Sequence, residues 1–246
     1  VVLFFVHSVR SIDEMNDATR RWAEKQKAAG KIRLFGFSTH SNMEQCLLGA
    51  SRLGWIDAVM TTYNFRLMHS DAMRRAVDAC AEAGIGLTAM KTQGGGSIQG
   101  DGTAERFLAD GFTAGQAKLK AVWENPHIAS ICSEMPNMAL LMENVAAAID
   151  RTRLSGADRQ RLQRYAQRSR SEYCAGCTQR CEAAVDAPVP IGDAMRYLMY
   201  GRSYGDWHRA AHSFRRLPAE TRRIMAAADY RCAEQACPQQ MPIGRL

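Results

Sequence analysis

Two hydrophobic periods alternate along this chain. From Val1 to about Arg151, short apolar runs that read as buried strands trade places with longer stretches in which apolar residues recur every three or four positions, the pattern of amphipathic helices. Strands are predicted at Val1 to Val6, Arg33 to Ser38, Ala58 to Thr61, Gly86 to Met90 and Ile128 to Cys132. Helices are predicted at about Ile12 to Ala29, Met43 to Leu53, Asp71 to Ala83, Ala114 to Glu124 and Met138 to Ala148. That alternation implies βα units and a parallel sheet. The strands recur about every 25 to 30 residues, the spacing of a (β/α)8 TIM barrel. Five units cannot close eight strands, so the region reads as a partial barrel of about the last five βα units. Both ends of the chain read as cut, and three further units are expected upstream.

The text changes near residue 170. A helix from about Ser155 to Arg168, opened by Ser155 and Asp158, closes a barrel domain of residues 1–170. Residues 171–246 form a small Cys-rich region with helical text at Gly192 to Tyr200 and Gly205 to Leu217. Thr92 to Gly102, with Gly94, Gly95 and Gly96 in a row just after a strand, reads as a long flexible loop.

Composition narrows the function class. With 46% hydrophobic and 23% charged residues the chain is ordinary globular material, which excludes a disordered or fibrous protein. The apolar run at Val1 is too short to span a bilayer and no signal-peptide pattern accompanies it, so no membrane partner is expected. A cytoplasmic location is the default, with export as the alternative. The net charge of +7 comes largely from the Arg-rich stretches 151–170 and 215–223, where basic residues alternate with apolar ones at helical spacing. These read as solvated helix faces, and without interleaved aromatics they do not suggest a nucleic-acid surface.

The eight cysteines fall into two groups. Cys46, Cys80 and Cys132 sit among apolar positions and are expected in the core. The other five crowd the C-terminal third. Cys174-x2-Cys177-x3-Cys181, completed by Cys237-Pro238, puts three thiolates on a turn and a remote fourth before proline, a pattern suited to one 4Fe-4S cluster. A zinc ion on the same four thiolates is the alternative. Cys232 stands in text that could continue the preceding helix and is expected to be a packed bystander. In the first strand, Phe4-Phe5-Val6-His7-Ser8 places His7 at the C-terminal end, where a parallel barrel presents its reactive groups.

Together with His7, the segments Gly30-Lys31-Ile32-Arg33, Gly36-Phe37-Ser38-Thr39-His40, Asp57-Ala58-Val59-Met60 with Tyr63-Asn64, Gly84-Ile85-Gly86-Leu87-Thr88-Ala89-Met90-Lys91, and Glu143-Asn144 resemble the aldo-keto reductase family in order and spacing. Nearly the whole chain is covered, because some members continue into a Cys-rich, ferredoxin-like 4Fe-4S tail. The resemblance implies reduction of carbonyls with NADP(H) or NAD(H) by an Asp, a Tyr acid, a Lys and a His. Of these only the His, matching His7, lies in this chain; the others are expected upstream. It implies cofactor contacts from Ser38 and Thr39 to the nicotinamide carboxamide, from Met60 and Met90 in place of the usual Gln and Tyr, from Lys91, and from Glu143 and Asn144 to the adenine. The basic residues that usually grip the 2′-phosphate are replaced by apolar text, Met138 to Met142.

The resulting expectation is an NAD(P)-dependent oxidoreductase acting on a small-molecule carbonyl or alcohol, with a redox partner protein for the iron-sulfur tail. This segment alone is expected to be inactive. A non-catalytic barrel whose Cys domain docks a redox partner, and a reductase with a structural zinc tail, are the alternatives.

Overall fold

The computed structural model describes residues 1–96 and 102–246. Five strands, β1 (Leu3–Val6), β2 (Leu34–Thr39), β3 (Ala58–Thr62), β4 (Gly86–Met90) and β5 (Ile128–Cys132), form one parallel sheet in sequence order. Parallel neighbours need a crossover connection. Here α1 (Asp17–Ala28), α2 (Met43–Leu53) and α3 (Asp71–Glu82) supply the first three crossovers, α4 (Thr103–Ala109) and α5 (Ala114–Trp123) share the fourth, and α6 (Met138–Ile149) follows β5. Every predicted strand is present.

Side-chain alternation gives the sheet two unlike faces. Phe4 packs on Trp22 of α1 with ring centroids 5.2 Å apart, and Phe35 meets Trp22 at 6.1 Å and Trp55 at 5.6 Å, so these positions face the helices. Phe5, Gly36, Ser38 and Met60 therefore turn the other way. Gly36 is required there: a Cβ at this position would stand 1.9 Å from the carbonyl oxygen of Ala58. Asp57 fixes the start of β2, accepting from the Phe35 amide at 2.7 Å and from Lys27 Nζ at 2.5 Å.

Three expectations are corrected in this unit. The helix predicted from Ile12 breaks into a 3-10 turn, Ile12–Glu14, and α1, because the Asn16 side chain accepts from the Ala18 and Thr19 amides and caps a fresh start. Helix α4 lies in the connection after β4, which reads in sequence only as long; of the predicted Gly-rich loop, residues 97–101 lie outside the described residues. Cys46 and Cys80 are buried as expected, and burial pushes their thiols up to about 11 and about 12, but Cys132 is exposed, since β5 is an edge strand whose alternate positions are uncovered.

Helix α7 (Gly156–Arg168) opens as its sequence predicts: Ser155 Oγ accepts from the Asp158 amide at 3.1 Å, and the Asp158 carboxylate accepts from the Ser155 amide at 2.8 Å. The chain divides into two compact units inside this helix. One holds the sheet and its helices down to Arg164; the other runs from Tyr165 to Leu246 and takes in Gly95 and Gly96.

The second unit has no strand among the described residues and is built from α8 (Thr178–Cys181), α9 (Ile191–Tyr204), α10 (Trp207–Arg215), α11 (Ala219–Ala227) and α12 (Arg231–Ala236). Its core gathers Cys181, Val189, Ile191, Met195, Ala233, Met241 and Ile243. Cys232 does not continue the preceding helix as expected. Ala228 is extended, the Asp229 carboxylate captures the Arg231 amide at 3.0 Å, and Cys232 emerges exposed on a separate helix.

Candidate functional site

Register aligns the predicted nicotinamide-side residues at the C-terminal edge of the sheet. Ser38 pairs with Met60, Met60 with Thr88 and Thr88 with Ser130, so these four side chains form one row across four strands on the face away from the helices. His7 joins the row from β1, its Nδ1 lying 3.2 Å from Ser38 Oγ. A second row follows, with Thr62 beside Met90 and Met90 beside Cys132. His40, a residue not singled out as a site in the sequence, stands over it with Nδ1 3.3 Å from Thr62 Oγ1 and its ring edge-on to His7 at 6.5 Å. Its position directly after Ser38-Thr39 at a strand end was the available signal.

The hydrogen bonds set the chemistry of His7. Ser38 is buried, and its Oγ already accepts from the Ser8 amide at 3.0 Å. The hydroxyl can donate its hydrogen to His7 Nδ1 while it accepts from Ser8, and in that arrangement the imidazole proton sits on Nε2. His7 itself is exposed. A hydrogen-bond donor on a rigid strand end, with its tautomer held from behind, can polarise a carbonyl oxygen.

Other predicted contacts are placed differently. Thr39 alternates to the helix side, where its hydroxyl donates to the Ser41 carbonyl at 2.7 Å, so only Ser38 of that pair offers its side chain to the His7 face. Lys91 turns out of β4 with a left-handed backbone (φ 55°), and its carbonyl accepts from Asn64 Nδ2 at 3.1 Å. Glu143 and Asn144 sit on α6, away from the His7 row. The Glu143 carboxylate accepts from Thr113 Oγ1 and lies over Gly115 at the start of α5, while Asn144 Nδ2 donates to Ser133 Oγ at 3.2 Å. Near Glu143, Lys118 is buried with Nζ 5.6 Å from the centre of the Phe65 ring; burial, with Arg66 adding, pushes its pKa down to about 7, and Glu143 opposes that shift. The apolar text of α6 is exposed, Met138 by 68% and Ile149 by 72%.

In the second unit, Cys174, Cys177, Cys181 and Cys237 lie within electrostatic reach of one another. Burial first, and then the neighbouring sulfurs, push the Cys174 and Cys181 thiols up to about 11 and about 12; the Gly176 amide donates to Cys174 and opposes its rise. The donor set is four soft thiols, of which Cys174, Cys181 and Cys237 border the apolar core, and soft ligands suit a soft metal or a cluster better than a hard cation. Among the described residues, no three His, Cys, Asp or Glu side chains converge as a single metal ion requires.

The sequence profile of the Aldo/keto reductase family matches residues 2–151, more than half of the chain. The chain belongs to that family. Its five-stranded parallel sheet is part of the TIM barrel of aldo/keto reductases. Similar solved structures include an aldo/keto reductase from Klebsiella pneumoniae in complex with NADP and acetate, 21% identical at a TM-score of 0.52 over 67% of this chain and 58% of that one. The thermostable aldo-keto reductase Tm1743, bound to the inhibitor epalrestat, is 19% identical at a TM-score of 0.51 over 67% of this chain and 60% of that one. The apo form of an aldo-keto reductase from Bacillus halodurans is 18% identical at a TM-score of 0.51 over 67% and 62%. At such identities the likeness is one of fold. The chain spans about three fifths of the length of these relatives, 60% in the case of Tm1743. No curated protein matches it. Among the described residues, no helix is long and apolar enough to cross a membrane.

Proposed function

We propose that this chain is the C-terminal part of an NAD(P)H-dependent reductase that interconverts a small carbonyl compound and its alcohol, and that its second unit holds one 4Fe-4S cluster. The observation that carries the first half is the pairing of His7 with Ser38 at the C-terminal edge of the parallel sheet, where barrels of this architecture present their chemistry. A bound nicotinamide cofactor supplies the hydride to the carbonyl carbon or takes it from the alcohol. As charge develops on the substrate oxygen, His7 Nε2–H stabilises it and orients the carbonyl. Ser38 holds that tautomer and offers its hydroxyl to the carboxamide. Met60 and Met90 supply an apolar floor, Lys91 the turn that ends it, and Glu143 and Asn144 the adenine end; Thr39 contributes through its backbone, its hydroxyl being engaged elsewhere. The Tyr acid, the Asp and the Lys that the family resemblance implies have no match in this chain.

Cys174, Cys177, Cys181 and Cys237 are the proposed cluster ligands. Their mutual proximity supports the assignment, as does the Gly176 amide on Cys174. Three thiols closely spaced in sequence and a remote fourth before Pro238 suit a cubane, and four thiolates would equally satisfy tetrahedral zinc. A bound cluster supplies one-electron transfer to a redox partner or braces the tail. Visible absorbance separates the metals, since a cubane is brown and zinc is colourless.

A second reading, a non-catalytic barrel, is favoured by two observations: the Thr39 hydroxyl faces α2, and the Glu143 carboxylate is already spent on α5. The full-length protein decides between them. NADPH and NADH are titrated first, and oxidation of the bound form is then followed over a panel of aldehydes and ketones. The reductase reading expects binding and turnover, with His7→Ala lowering turnover about 10²- to 10⁴-fold and leaving stability within about 0.5 kcal/mol. Absence of nucleotide binding, or full activity in His7→Ala, would overturn it.

A further inference from the structure

Helices α9, α10 and α11, with the last turn of the chain, enclose a groove of about 440 Å³ in the second unit, within the roughly 300–1,000 Å³ usual for small-molecule pockets. No cysteine lines it. Its walls are apolar and aromatic, chiefly Met195, Leu198, Trp207, Phe214 and Tyr230. Trp207 lies against α9 at Gly201, where a Cβ would meet the indole at 2.4 Å, yet it stays 57% exposed. Tyr230 spends its hydroxyl on the Met225 carbonyl at 2.7 Å and so presents its ring to the groove. An indole and a phenyl ring left in water forgo about 25 cal/mol for every Å² a ligand could cover.

One charged residue lines this surface, Arg222. Nearby arginines are neutralised: Arg223 pairs with Glu220 at 2.6 Å and Arg231 with Asp229 at 2.5 Å. Arg222 is half-buried, and among the described residues its guanidinium has neither a carboxylate partner nor a hydrogen-bond acceptor. A partly desolvated cation without a counter-charge is costly, and a guanidinium fork matches a carboxylate in two parallel bonds.

From this combination we propose that the groove binds a small amphipathic carboxylate, its apolar body against Trp207, Phe214 and Tyr230 and its head group on Arg222. The proposal is independent of the reductase reading, because every residue it uses lies in the second unit.

Dodecanoate titrated into the full-length protein tests it, with tryptophan fluorescence as the readout and Trp207→Phe as the blank. The expected result is saturable binding, with dodecan-1-ol weaker by about tenfold or more. Arg222→Met should remove that preference, and Arg222→Lys, which keeps the charge and most of the volume, should retain part of it. Both variants are compared at equal circular dichroism. Equal affinity for acid and alcohol, unsaturable partition, or undiminished dodecanoate binding by Arg222→Met would overturn the proposal. So would a dimer in sedimentation whose dissociation exposes Trp207, since the groove would then belong to a second copy.

Discussion

The two units rest on opposite solutions to the same shortage of enthalpy and area. The barrel unit buries a run of large side chains, Phe35, Phe37, Val59, Leu87 and Leu119 among them, between a sheet and its helices, so its order comes from apolar burial and a backbone ladder. The cysteine unit has no sheet among its described residues and a small core of Cys181, Val189, Ile191, Met195, Ala233, Met241 and Ile243. Small domains of that kind usually need a metal or disulfide staple, and no two of the eight cysteines are joined in a disulfide. The contrast teaches that a cysteine can be structural in two ways. Cys46 and Cys80 serve as small apolar packers, whereas the proposed cluster would use Cys181 together with Cys174, Cys177 and Cys237.

That contrast can be broken most sharply at Cys181. In the full-length protein, Cys181→Ala should abolish visible absorbance and bound iron and make residues 171–246 sensitive to protease. Cys46→Ala should leave absorbance intact and cost about 1 kcal/mol of barrel stability. Retained absorbance in Cys181→Ala would remove the distinction.

A smaller effect is expected at Gly36, which lets β2 approach β3. In Gly36→Ala the new methyl meets backbone at 1.9 Å, so a loss at the upper end of about 1–3 kcal/mol follows in denaturant unfolding. Iron content should not change.

Smaller again is an acid effect confined to the barrel unit. The Asp150 carboxyl is held down at about 2 by its hydrogen bond with Lys120 and then by Thr152, and Lys120 Nζ lies 2.9 Å from Asp150 Oδ2. Its folded pKa is thus below the unfolded value of about 3.9. The stabilisation is present above that unfolded value and is lost as pH falls through the folded one. Melting temperature should therefore drop between about pH 4 and pH 2, and Asp150→Asn should flatten that segment of the curve. An unchanged slope in the variant would remove Asp150 from the account.

The smallest effect is expected at Cys232. It is exposed on α12, and Cys232→Ser should leave absorbance, iron and melting unchanged. Loss of cluster in Cys232→Ser with retention in Cys237→Ser would reverse the proposed ligand set.

Much of the barrel unit was legible because its information is local. A short apolar run followed by a stretch with apolar residues every three or four positions, repeated five times, specifies strands, helices and their order, and parallel pairing follows from the crossovers. Cap chemistry was legible for the same reason at Ser155 and Asp158, and was missed at Asn16 only because an apolar pattern runs through it. The elements that escaped, α4, α8 and α12, are short, and short helices carry too few turns for a period to show.

Site residues divide along the same line. That His7 ends a strand is a sequence fact, and so is the spacing of Cys174, Cys177 and Cys181. That Ser38 faces His7 while Thr39 faces α2, that Glu143 leans on Thr113, and that Arg222 is left without a counter-charge were decided by the tertiary structure alone. Each of these depends on which side chain from a distant segment arrives to accept or withhold a hydrogen bond. No periodicity within a single segment encodes that meeting.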